Sequence, residues 1–165
     1  LLKPLRIIGQ SVSQVLYQRI AEMSNKNGNI EPIIHKITLR LILIGLVIFI
    51  PIVIFGPQIF NFVFGPKWLE AGVYAQIMTP WLFGIFVFAP VFQVNLVLNK
   101  QKKYLIISVI FNIMTLGILL LAGMFTSNIK IVLLIVSVFV FLYHLAMYLW
   151  IIDIIKKYNI NKSNY

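Results

Sequence analysis

The chain has 165 residues, of which 61% are apolar and 11% charged, with a net charge of +10 and no cysteine. A soluble domain carries about 25% charged residues, and four acids with fourteen basic residues cannot surround a core of this size with a polar surface. Disulfides and thiolate metal sites are excluded, and the basic residues stand in short clusters between apolar runs. That is the pattern of membrane-protein loops rather than of a nucleic-acid-binding face.

Residues 1–23 mix apolar positions with Lys3, Arg6, Gln10, Gln14 and Arg19, while Ile7, Ile8, Val12, Val15, Leu16 and Ile20 recur at roughly helical spacing. Two readings are open: an amphipathic helix lying in the membrane interface, or the inner part of a spanning helix that starts upstream. The chain opens without Met or a signal-peptide pattern, which favours the second reading and a longer parent protein.

Four apolar runs follow, at residues 37–63, 73–98, 104–125 and 131–152, and each reaches the roughly 20 residues that a helix needs to cross the bilayer core. The first continues past Pro51, because a spanning helix tolerates a proline as a kink. Residues 153–165 form a polar tail. The expected fold is therefore all-α: a polytopic bundle of four full transmembrane helices plus an N-terminal partial or interfacial helix.

Lys and Arg give the orientation. Arg19, Lys26, Lys36, Arg40, Lys100, Lys102, Lys103, Lys156, Lys157 and Lys162 fall on one side when the four runs alternate in direction, and the other side holds only Lys67 and Lys130. The positive-inside rule places the richer side, and the C-terminus, in the cytoplasm. Trp68, Tyr74 and Trp81 then mark the outer interface, and Tyr17, Tyr104 and Trp150 the inner one.

The loops display no Ser/His/Asp set, paired carboxylates, metal-ligand cluster or glycine-rich phosphate loop, so neither catalysis nor a cofactor is expected. The informative residues are inside the runs. Gly45, Pro51, Gly56 and Pro57 in the first, and Pro80, Gly84 and Pro90 in the second, interrupt regular helix. Broken helices line cavities in transporters, and prolines are also simply commoner in membrane helices. Gln93, Asn95, Asn112 and Thr115 bring amides and a hydroxyl into the apolar runs, either to bond a neighbouring helix or to line a polar cavity. His144 stands in the fourth run, where an imidazole can relay protons or donate one hydrogen bond between helices.

The order of these features resembles bacterial polysaccharide flippases, the O-antigen and capsule repeat-unit translocases of the multidrug/oligosaccharidyl-lipid/polysaccharide exporter superfamily. Four segments carry the resemblance: the stretch from Pro4-Leu5-Arg6 to Ile20-Ala21-Glu22, then Phe64-Gly65-Pro66-Lys67-Trp68-Leu69-Glu70-Ala71-Gly72, then Tyr74-Ala75-Gln76-Ile77-Met78-Thr79-Pro80-Trp81, and finally the basic turn Asn99-Lys100-Gln101-Lys102-Lys103. The family has two six-helix bundles, and this chain is similar to the last five helices, starting part-way along the eighth. The resemblance implies an N-terminal bundle as partner, an inner-membrane location, and alternating-access transport of undecaprenyl-pyrophosphate-linked oligosaccharides without an ATP site. It also implies the polysaccharide polymerase machinery as a further partner. Under it, Lys3 and Arg6 share a helix face at membrane depth, where a lipid-facing cation costs about 3 kcal/mol. They would face a cavity and hold the pyrophosphate, with Gln10 and Gln14 continuing that face towards the sugars.

Three alternatives remain. A drug/cation antiporter of the same superfamily is disfavoured because none of the four runs holds Asp or Glu. A murein-precursor flippase shares the substrate chemistry. A non-transporting assembly subunit has no need of Lys3 and Arg6 at membrane depth. The orientation has a direct check: single cysteines replacing Gly28 and Lys102 should react with an impermeant thiol reagent only from the cytoplasmic face, and those replacing Trp68 and Ser127 only from outside. External labelling at position 102 overturns the topology.

Overall fold

The structure is a computed structural model that describes Gln18, Ile20 and residues 30–163, with side chains through Asn159. Helix α1 spans Glu31–Phe64, and a 3-10 turn at Pro66–Trp68 leads into α2, Leu69–Phe88. A second 3-10 segment, Ala89–Gln93, and the short α3, Val94–Val97, complete the second crossing. Helix α4 covers Gln101–Phe125 and α5 covers Ile129–Ser163. Four stretches are long and apolar enough to cross a membrane, and the described residues contain no strand. The protein is an all-α, polytopic membrane protein.

At 1.5 Å per residue, a helix of 34 residues is about 51 Å long, well beyond a hydrocarbon core of about 30 Å. The excess in α1 and α5 carries polar groups. Glu31, His35, Lys36 and Arg40 lie at the start of α1, and Asp153, Lys156 and Lys157 near the end of α5. Lys157 Nζ lies 2.6 Å from Asp153 Oδ2, one turn back, so α5 continues as helix after its apolar stretch ends.

Ion pairs fix which ends meet. Glu31 lies 3.8 Å from Lys156 and 3.6 Å from His35, and the Tyr148 hydroxyl is 3.3 Å from His35 Nδ1. These residues join α1 to α5 at the end rich in Lys and Arg, here termed the basic end. At the opposite end Glu70 lies 3.5 Å from Lys130, joining α2 to α5, and the Lys130 ammonium stands 5.9 Å from the Tyr74 ring centre. The pairs are at least partly exposed and each contributes little energy, but they mark α1 as antiparallel to α5 and α2 as parallel to it.

Helix α2 is the hub, packed against α1 on one side and α5 on the other, while α4 packs against α5. The buried apolar cluster gathers at the basic end. It joins Ile20, Ile34 and Leu41 to Val87, Phe88, Val91 and Phe92 of the second crossing, and to Met147, Ile151 and Ile155 of α5. Burial in protein gains little over burial in lipid, so helices in a bilayer hold together through close packing and hydrogen bonds. Helix α4 has no buried residue; Phe111 stacks on Tyr143 of α5 at 3.5 Å and 9°, and Tyr104 meets Phe92 at 5.8 Å.

Near the opposite end α1 and α2 touch backbone to backbone. A Cβ at Gly72 would stand 2.5 Å from the Gly56 carbonyl oxygen and 2.5 Å from Pro57 Cα, and one at Gly56 would stand 2.7 Å from the Gly72 oxygen. Only hydrogens fit there. Helix α1 then ends at Gly65, whose φ of 95° suits glycine alone. Gly72→Ala should lower the stability of the purified protein by about 1–3 kcal/mol, because backbone cannot yield to the new methyl. Gly117→Ala in α4, where a Cβ meets nothing within 4 Å, should leave stability unchanged or raise it by up to about 1 kcal/mol. Unfolding in detergent micelles checks both, and equal responses would contradict the packing.

Candidate functional site

The polar groups of the spanning region cluster where prolines interrupt the helices. Pro57 has no N–H, so the usual bond from residue 57 to the carbonyl of Val53 cannot form. The backbone leaves helical geometry at Phe55, with φ −120° and ψ 18°. Gln76 on α2 supplies the missing donor, its Nε2 giving a 2.8 Å hydrogen bond to Val53 O. At the next break, after Pro80, the Trp81 N–H donates to Ser137 Oγ of α5 at 3.1 Å, and Ser137 is fully buried. The Thr79 hydroxyl donates to Ala75 O at 2.9 Å. At the third break, Pro90 opens the 3-10 segment, and Asn95 Nδ2 donates to Phe92 O at 3.1 Å.

Beside Phe92 of that 3-10 segment, and between α5 and α4, lies a second group of polar side chains. His144 of α5 is buried, with its ring stacked on Phe92 at 5.6 Å and edge-on to Tyr143 at 5.3 Å. Its Nδ1 lies 2.8 Å from Val140 O. A carbonyl only accepts, so this contact puts the proton on Nδ1. The Tyr143 hydroxyl lies 3.2 Å from Ser108 Oγ and ties α5 to α4. Asn112, one turn beyond Ser108, is exposed and donates from Nδ2 to Ser108 O at 2.7 Å.

The residues singled out by sequence therefore fall in different settings. Asn95 and His144 are buried and bonded to local carbonyls, Gln93 is half-buried at the end of the 3-10 segment, and Asn112 lies on the open face of α4. Lys3, Arg6, Gln10 and Gln14 lie outside the described residues. Sequence reading passed over Gln76, Ser137 and Thr38. The first two serve backbone groups beside Pro57 and Pro80, and the signal was available: a polar residue in one span facing a proline in the next. Thr38 is buried and its Oγ1 has no hydrogen-bond partner among the described residues, which no sequence pattern foretells.

The described residues hold no cluster of three or more His, Cys, Asp or Glu side chains able to bind a metal. No protein-family model, curated protein or solved structure matches this chain.

The geometry around His144 bears on its role. One ring nitrogen is bonded within its own helix, the rings of Phe92 and Tyr143 flank it, and among the described residues no carboxylate is paired with it. Its local task is to seat α2 on α5. In the intact protein His144→Gln should leave activity and its pH dependence unchanged, since glutamine retains a donor to Val140 O. A well-expressed variant that is inactive, or whose activity no longer varies with pH, would assign the imidazole a proton-carrying role.

Proposed function

We propose that this chain forms part of a transporter of the inner membrane that moves undecaprenyl-pyrophosphate-linked oligosaccharide repeat units to the outer leaflet by alternating access, for surface polysaccharide assembly. The observation that carries this reading is the ordered set of segments from Pro4 to Lys103 that resembles polysaccharide flippases. Four antiparallel spans with proline breaks in the first two are consistent with it, because transport requires helices that bend and change partners. In this reading the basic end faces the cytoplasm and a further helix bundle completes the path. Lys3 and Arg6 contact the pyrophosphate, and Gln10 and Gln14 contact the sugars.

Anion recognition of this kind is sensitive to the shape of the cation. Arginine offers a planar fork that matches two phosphate oxygens, whereas lysine is a point charge. In the intact protein, Lys3→Ala and Arg6→Ala should each cut surface polysaccharide several-fold at unchanged protein level, and Arg6→Lys should restore only part of it. Full activity of the double alanine variant would remove these two residues from the substrate path.

A further inference from the structure

Gly72 and Gln76 lie one turn apart on α2 and grip α1 on opposite sides of its break. Gly72 presses on Gly56 and Pro57, beyond the irregular residue Phe55. The stem of Gln76 lies beside Gly56, and its amide reaches back to bond Val53, before the break. The two grips differ in kind. The glycine contact is backbone on backbone and has no slack. The glutamine contact is one neutral hydrogen bond on a flexible side chain, enough to favour the bonded state by about five- to tenfold and no more.

From this we infer that α1 contains a hinge at Phe55–Pro57, with Gln76 as its releasable catch. When the bond to Val53 O opens, the segment Gly56–Phe64 swings together with the Pro66–Trp68 turn and the start of α2, while the part of α1 before Phe55 stays in place. Several observations support the division. The basic-end half of α1 is anchored in the buried cluster through Ile34 and Leu41. The far segment carries no residue of that cluster, and Phe62, Val63 and Phe64 are all exposed. Pro57 prevents the break from closing into regular helix, since no N–H is available to replace Gln76. The pair Glu70–Lys130, which ties the start of α2 to α5, is exposed at both partners and restrains the motion weakly. The hinge is a property of this chain whatever substrate the transporter carries.

The chain contains no cysteine, so paired spin labels can be placed at will. Phe62 on the far segment and Phe125 at the end of α4 are 91% and 88% exposed and lie at the same end of the bundle. A change in bend of about 20–30° acts on a seven-residue lever of about 10 Å and moves the label at 62 by roughly 4–5 Å. With the intact protein in lipid nanodiscs, pulsed electron-electron resonance should give a dominant Phe62–Phe125 distance. Gln76→Leu should shift it by several ångströms or add a second population. A second pair, Val47 with Phe125, lies before the hinge on the α1 side and should not change. If Gln76→Leu fails to insert, Gln76→Met makes the same deletion of the donor with an unbranched chain. Superimposable Phe62–Phe125 distributions with and without Gln76 would overturn the catch, and equal shifts in both pairs would overturn the hinge.

Discussion

The hydrogen bond from Gln76 to the carbonyl of Val53 meets a requirement that the bilayer imposes on every spanning helix. In hydrocarbon no water is present to satisfy a backbone group, so each one needs a partner within the protein. A proline at position 57 breaks that rule within α1, and a side chain from α2 restores it. The backbone contact of Gly56 with Gly72 brings the helices close enough for the glutamine to reach. Proline, glycine pair and glutamine therefore act as one device. None of the three has a purpose in an isolated helix.

The same logic recurs along the second crossing. Ser137 receives the Trp81 N–H after Pro80, and Asn95 attends the Phe92 carbonyl in the 3-10 segment after Pro90. The second crossing thus carries Pro80 inside α2 and Pro90 in the 3-10 segment, and a polar side chain bonds the backbone near each, from α5 in one case and from the crossing itself in the other. Helix α4, by contrast, has no proline and is attached through ring contacts of Tyr104 and Phe111, the Lys103 ammonium over Trp150 and one hydroxyl pair.

Much of the architecture was legible because the membrane leaves few choices. Apolar runs of about 20 residues must be helices, and counting Lys and Arg placed Lys36 and Lys156 at one end and Lys130 at the other; the structure adds their acidic partners, Glu31 for Lys156 and Glu70 for Lys130. Helix ends were less legible. The structure starts α2 at Leu69 rather than near Val73, because the turn at Pro66–Trp68 feeds directly into it. It carries α5 to Ser163 rather than to residue 152, because a helix outside the bilayer can be held by pairs such as Asp153–Lys157. The polar residues were visible in sequence but their partners were not. Asn95, Asn112 and His144 all bond carbonyls within four residues, a local use that spacing alone does not distinguish from lining a cavity. Gln76 reaches across 23 residues, and only the packing of α1 on α2 reveals its target.

Gln76 serves the carbonyl that Pro57 leaves open, and a double-mutant cycle measures the coupling between the two residues. Unfolding free energies of the parent, Gln76→Leu, Pro57→Ala and the double variant would be compared in the same detergent or lipid. Alanine at 57 supplies an N–H for Val53 O, so removing the glutamine should cost about 1 kcal/mol in the parent and close to nothing once Pro57 is gone. An equal cost in both backgrounds would show that Gln76 and Pro57 act independently, and would contradict the account.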